Sequence, residues 1–156
     1  CANGLGERTG NAALEELMMG LHLLYGYDTP YKLDKIPELG ALIAERSNIS
    51  IARNKPVLGH GNFIRESGIG IDYVMNDPLV MFGTHPSLTG KVGEVVLGKK
   101  SGKASIIYKM GELGMGVLED DKIAMILEEV KNAGIAKRDV LSHDEFANIV
   151  NAVKAK

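Results

Sequence analysis

The protein has 156 residues, enough for one ordinary domain or two small ones and too few for a complete α/β barrel of roughly 250 residues. Hydrophobic residues make up 45% and charged residues 24% of the chain, the balance of a sequence that buries a core. The 18 Lys and Arg against 20 Asp and Glu leave a formal charge of -2, so nothing draws the chain to nucleic acid or an anionic membrane. No apolar run reaches the ~18 residues that a membrane-spanning helix needs.

A single Cys cannot form an internal disulfide, and without a signal-peptide pattern the expected location is the cytoplasm. Cys1 stands first in place of Met, so the sequence is expected to be part of a longer polypeptide. The other reading of Cys1 is a processed N-terminal nucleophile with thiol and amine side by side, and it lacks any visible activating partner.

In chain order, Leu14, Leu17, Met18 and Leu21 fall at helical spacing after Asn11, with Glu15 and Glu16 in the first turn, and predict a helix ending near Gly26. A second helix is predicted from Asp34 to Arg46, burying Ile36, Leu39, Leu42 and Ile43. Pro56, Gly59 and Gly61 mark residues 47–62 as a connector, and residues 63–90 read as irregular chain with short helical turns at most. Gly93 to Leu97 is the expected strand. Ser101 is predicted to cap a helix reaching Leu113 that buries Ile106, Ile107 and Met110. Two more helices are predicted: Asp120 to Ala133, with Ile123, Ile126, Leu127 and Val130 inward, and one opened by the capping box of Ser142 and Glu145, burying Phe146, Ile149, Val150 and Val153. The expected fold class is α+β and predominantly helical, divided at 1–48, 49–100 and 101–156.

Local chemistry is sparse. Gly93-Glu94-Val95-Val96-Leu97-Gly98-Lys99 has the spacing of a phosphate-binding loop, but Lys100 stands where a Mg²⁺-binding Ser or Thr is required. The run Gly98-Lys99-Lys100-Ser101-Gly102-Lys103 still sets three cations at a predicted helix start. It reads either as an anion site, with Lys99, Lys100, Ser101 and Lys103 as contacts, or as a solvated basic loop. His22, His60, His85 and His143 share no metal-binding spacing. Of these, His60 and His85 lie in glycine- or proline-flanked irregular segments, which makes them the candidates for proton transfer. The seven Met read as core filler.

The opening stretch, Gly4-Leu5-Gly6-Glu7-Arg8-Thr9-Gly10-Asn11-Ala12-Ala13-Leu14-Glu15-Glu16, resembles the GxGERxGNxxLEE signature of the isopropylmalate and homocitrate synthase family. Downstream, Asn54-Lys55-Pro56-Val57-Leu58-Gly59 is similar to that family's NKPxxG segment. Phe63-Ile64-Arg65-Glu66-Ser67-Gly68-Ile69 is similar to its FxHESGIH segment, and residues 98–103 to its GKHSGR segment. The resemblance runs in order through residues 3–113. Hydroxymethylglutaryl-CoA lyases have a different, cysteine-bearing glycine loop, which favours the synthase branch.

The resemblance implies that residues 1–48 form the end of a TIM-type barrel, comprising the GER loop, the last barrel helix and the helix after it. A lid or linker region and a C-terminal helical subdomain would follow. It implies condensation of acetyl-CoA with a 2-oxo acid, using a base to form the enolate and a divalent metal (Mg, Mn or Zn) to polarise the keto group. Asn11 matches the residue at the metal; taken alone it is also a helix N-cap. Glu7 and Arg8 match the barrel-mouth loop, and Arg65 and Ser67 fall where substrate contacts are expected. The other implied ligands, an Asp and a His-x-His pair, and the catalytic Glu have no counterpart here, so the chain is expected to be inactive alone. Two histidines of the family pattern are replaced, by Arg65 and Gly70, so either His60 or His85 substitutes from a neighbouring turn or the parent enzyme runs altered chemistry. Expected partners are a second copy of the chain or a barrel-bearing chain, and the alternative function is a non-catalytic module docked on such a partner.

Overall fold

The computed structural model describes residues 1–155, and their elements are mostly helical with one small sheet. In chain order they are α1 (Leu14–Tyr25), α2 (Ile36–Ser47), β1 (Ile64–Arg65), α3 (Ile71–Asn76), β2 (Glu94–Val95), α4 (Lys103–Glu112), α5 (Asp120–Lys137) and α6 (His143–Lys154), with short 3₁₀ turns between them. Two compact units share the chain. The first comprises Cys1–Phe63 and Phe82–Val92, and the second Ile64–Met81 and Gly93–Lys156.

In the first unit, α1 begins with Glu15 and Glu16 at its positive end and stops at Gly26, whose left-handed φ of 64° lets Tyr27 N–H return to the Leu21 carbonyl at 3.0 Å. α2 carries a proline in its first turn and ends on left-handed Asn48. Both helices form where their patterns predict, but their predicted apolar stripes are covered only in part. Leu14, Leu17 and Leu21 are exposed, as are Leu39 and Leu42, while Ile36 is buried as expected, Met18 and Ile43 are half-buried, and Glu15, Met19 and Gly40 are buried outside the predicted stripes. The covered side of α1 is the one turned to the opening loop and the Lys55 turn, where a charged pair rather than a leucine stripe makes the contact.

The second unit holds the larger core, in which α4, α5 and α6 bury Ile106, Met110, Ile123, Ile126, Val130, Phe146, Val150 and Val153 against Leu97 and Leu141. Ile107, predicted inward, is 47% exposed because it lies off the Ile106–Met110 face. Leu127 and Ile149 pack partly buried at the edge of the core. β2 forms at the predicted run. Its partner β1 was not predicted, and pairs in parallel with Ile64 opposite Glu94 and Arg65 opposite Val95.

Two helix ends differ from the prediction, one for a steric reason and one because a side chain is bonded elsewhere. α5 runs past Ala133 to Lys137, because Gly134 is not a stop: a Cβ there would lie 2.9 Å from the Lys99 backbone nitrogen, so glycine permits close packing inside the helix. α4 starts at Lys103 with Gly102 before it, and Ser101 is not its side-chain cap. The Ser101 hydroxyl instead accepts the Gly98 N–H at 2.9 Å.

The capping box of α6 forms as predicted. Glu145 N–H donates to Ser142 Oγ at 3.2 Å and Ser142 N–H to Glu145 Oε2 at 2.6 Å, while Lys137 Nζ donates to the same carboxylate at 2.7 Å. The hydrogen bond from Lys137, with that from Ser142, holds the Glu145 carboxyl below its ordinary 4.5. A carboxyl depressed on folding adds stability that is present above the unfolded value of 4.5 and lost as pH falls through its lower folded value. Ser142→Ala is expected to cost about 1 kcal/mol in urea unfolding at neutral pH, and Glu145→Gln, which removes the carboxylate held by Lys137 and the Ser142 N–H, should reduce the loss of stability on acidification through this range.

Candidate functional site

The opening loop is shaped by backbone hydrogen bonds that fold it onto itself. Asn11 N–H donates to the Gly4 carbonyl at 3.2 Å, Gly10 N–H to Glu7 at 3.0 Å, and Leu14 N–H to Cys1 at 3.0 Å. Gly10 has φ of 88°, and a Cβ there would lie 2.3 Å from the Gly4 oxygen. Glycine is therefore a steric requirement of this loop. Glu7 and Arg8 are exposed at its tip.

Asn11 is also exposed, and it is not the cap of α1, since Ala13 occupies that position and makes no side-chain cap bond. Its amide nitrogen donates to Cys1 Sγ at 3.2 Å, and among the described residues its amide oxygen has no donor. That arrangement fits one ligand of a hard cation. The described residues contain no group of three or more His, Cys, Asp or Glu that could hold a metal, so Asn11 could supply only one position of a set completed elsewhere.

The first and second signature segments meet at Lys55. Its ammonium pairs with Glu16 at hydrogen-bonding distance and with Glu15 at 3.4 Å, and Glu15 is 4% exposed. The hydrogen bond that Lys55 donates to Glu16 is the main cause that raises the Lys55 pKa above its ordinary value, against the opposing effect of burial. Glu15 Oε2 also accepts the Asn3 N–H at 3.0 Å, and Asn3 Nδ2 reaches the Gly40 carbonyl on α2 at 2.9 Å. The loop after Lys55 is held by Lys91, whose ammonium donates to the carbonyls of Leu58 (3.2 Å) and Gly59 (3.3 Å) and lies 5.9 Å from the Phe63 ring centroid. Burial pushes the Lys91 pKa down.

His60, next in the chain, is exposed and has no hydrogen-bond partner among the described residues. His85 is engaged: its Nδ1 accepts the Ser87 N–H at 3.3 Å and lies 2.7 Å from Ser87 Oγ, capping a 3₁₀ turn.

In the second unit the third and fourth signature segments meet. Glu66 Oε1 accepts the Lys100 N–H at 3.0 Å, and a Cβ on Gly68 would lie 2.7 Å from the Gly102 Cα. Arg65 Nη2 donates to the Ile69 carbonyl at 2.7 Å, Ser67 Oγ accepts the Ile69 N–H at 3.3 Å, and Gly70 turns with φ of 71° into α3. Ser101 is buried and already bonded, and Lys103 pairs with Asp120 at 2.7 Å. Lys99 and Lys100 are exposed and without an ion pair among the described residues. Lys55 and Lys91 had no local signal as anchors; only their contacts reveal them.

No family model matches the chain. It is 36% identical over 152 residues to a homocitrate synthase of Methanothermobacter thermautotrophicus, covering 97% of this chain and 38% of that one. It is 34% identical over 154 residues to an (R)-citramalate synthase of Methanocaldococcus jannaschii, covering 99% and 31%. To the 2-isopropylmalate synthase of the same organism it is 36% identical over 154 residues, covering 97% and 30%. The chain belongs to the isopropylmalate and homocitrate synthase family.

It spans about a third of the length of these curated relatives. Within this family chain, the signature segments lock together in pairs, the GER segment with the NKP segment and the ESGI segment with the GKKSGK segment. Gly68→Ala is expected to destabilise the protein by about 1–3 kcal/mol in urea unfolding, because the inserted methyl meets backbone rather than a movable side chain. Gly20→Ala on α1, where a Cβ meets nothing within 4 Å, is expected to stabilise by about 0.5–1 kcal/mol.

Proposed function

We propose that this chain is the C-terminal portion of a synthase that condenses acetyl-CoA with a 2-oxo acid. In this reading residues 1–48 close a TIM-type barrel begun elsewhere, and the later segments form its lid and dimer contacts. The observation that carries it is the kinship with 2-oxo-acid-condensing synthases over 97–99% of the chain. The pairwise locking of the signature segments supports it further. A cytoplasmic location belongs to the same proposal, and no helix among the described residues is long and apolar enough to cross a membrane.

The chain's own contribution to the chemistry is positional. Asn11 would hold a divalent ion (Mg, Mn or Zn) through its free amide oxygen, with the remaining ligands supplied by the rest of the barrel. The bound ion would supply Lewis-acid charge stabilisation at the keto oxygen. Glu7 and Arg8, at the tip of the folded loop, would face the barrel mouth. Arg65 is fixed by its bond to Ile69, and with Ser67 it would orient a substrate carboxylate. Lys99 and Lys100 would meet the phosphates of CoA, while Lys103 and Ser101 are held by Asp120 and Gly98.

Proton transfer falls to His60 or His85, since Gly70 offers only backbone where the family has an imidazole. Among the described residues His60 has both ring nitrogens free. His85 has Nε2 alone free, because Ser87 holds Nδ1.

The test is thiol release from acetyl-CoA, with a divalent metal and a panel of 2-oxo acids, comparing this chain alone with the same chain joined to its upstream polypeptide. The chain alone is expected to release no CoA above background, and the joined protein to turn over one 2-oxo acid. Asn11→Ala should lower kcat/KM at least about 10-fold in the joined protein, with partial recovery at higher metal concentration. A joined protein inactive with every 2-oxo acid would overturn the reading.

A further inference from the structure

Glu15 and Glu16 both face Lys55, but only Glu15 is tied to the opening loop. Glu15 is 4% exposed, and its Oε2 accepts the Asn3 N–H at 3.0 Å. Its Oε1 has no hydrogen-bond donor among the described residues, and its countercharge there is the Lys55 ammonium at 3.4 Å. A buried carboxylate is costly unless a cation faces it. The backbone of Lys55 is itself fixed in a closed turn, since its carbonyl accepts the Gly59 N–H at 2.8 Å and Asn62 Nδ2 at 2.9 Å.

From Glu15 the bonds lead on to Asn11. Asn3 has a left-handed φ of 58°, which a residue with a side chain keeps only with support, and its support is the bond to Glu15 and the bond of its Nδ2 to the Gly40 carbonyl at 2.9 Å. Gly4, next in the chain, turns its carbonyl onto the Asn11 N–H at 3.2 Å. Across the same loop Gly6 leaves room for the Asn11 side chain, because a Cβ there would lie 2.3 Å from Asn11 Nδ2. The direction of the Asn11 amide is thus set by the fold of residues 3–10, and that fold begins at Asn3. Without the ammonium, Glu15 would keep a single donor in a place where a carboxylate gains by swinging out to water, and the swing would release the Asn3 N–H.

We infer, resting on the reading of Asn11 as a metal ligand in the synthase, that Lys55 is a positioning residue for the metal: through Glu15, Asn3 and Gly4 it sets where the Asn11 amide oxygen points. Glu16 shares the same ammonium but has no bond to the opening loop among the described residues, so it stands outside this chain of contacts.

The test measures Mn²⁺ binding, from the electron paramagnetic resonance signal of free Mn²⁺, and hydrogen exchange of residues 3–13 by mass spectrometry, both on the chain joined to its upstream polypeptide. Lys55→Met should weaken Mn²⁺ binding about tenfold and speed exchange in residues 3–13 while leaving α6 unchanged, and Lys55→Arg should recover part of the loss. Glu15→Gln should act like Lys55→Met, whereas Glu16→Gln should leave Mn²⁺ binding unaltered. Added to Asn11→Ala, Lys55→Met should weaken binding no further than Asn11→Ala does alone, which a general loss of stability would not produce. If Lys55→Met does not fold, the contrast between Glu15→Gln and Glu16→Gln decides. Equal effects of those two substitutions, or Mn²⁺ binding unchanged by Lys55→Met where Asn11→Ala weakens it, would overturn the role of Lys55 alone. Mn²⁺ binding insensitive to Asn11→Ala would remove the metal reading of Asn11 and the role of Lys55 with it.

Discussion

Between Gly68 and Gly102 there is no room for a Cβ, and the second unit is organised around that fact. A methyl group on Gly68 would lie 2.7 Å from the Gly102 Cα, so two loops from distant parts of the chain touch backbone to backbone. Just upstream, β1 and β2 are two residues each, a pairing too short to be stable on its own. The glycine contact and the hydrogen bond from Lys100 N–H to Glu66 hold the same two segments together a few residues on. On its other side the turn at Gly98 is pressed by Gly134 of α5, again backbone against backbone. The basic loop is therefore gripped from two directions while the Lys99 and Lys100 side chains remain in solvent.

The first unit solves the same problem with charge. Lys55 is shared by two carboxylates, one exposed and one nearly buried, and through Glu15 the opening loop, α1 and the Lys55 turn become one assembly. Burying a carboxylate is costly, and a pair of this kind fixes geometry more than it adds stability. Asn3 extends the connection to α2 through Gly40. The exposed leucines of α1 and α2 follow from this arrangement, because the contact that orients α1 uses its acidic face and leaves its apolar face free.

Helices were legible wherever a terminus carried its own chemistry. The capping box at Ser142 and Glu145, the acidic first turn of α1 and its closing Gly26 each mark an end through local bonding, and the structure keeps them. Illegible features depend on contacts far apart in sequence. Gly134 looks like a helix stop until Gly98 is seen against it, and Ile64–Arg65 looks like loop until Glu94–Val95 is beside it. The return of residues 82–92 to the first unit likewise leaves no local trace. For the site, periodicity and spacing picked out only the lysine run and two histidines; the remaining candidates came from resemblance.

The two departures from the family pattern become intelligible once placed in this framework. Gly70 has φ of 71° and begins α3, and Arg65 closes the same loop by bonding to the Ile69 carbonyl. With no side chain at residue 70, this segment offers backbone and the Arg65 charge where the family pattern has imidazoles. In the proposed reading proton transfer passes to His60 and His85, and their settings differ. The Ser87 N–H requires Nδ1 of His85 to be an acceptor, which puts the proton of the neutral ring on Nε2 and makes its free edge a donor. His60 is bound to neither tautomer. Of the two, His85 in its neutral form presents an Nε2–H that can donate a hydrogen bond to a substrate oxygen and could give up a proton only as an imidazolium, whereas His60 has both ring nitrogens uncommitted among the described residues.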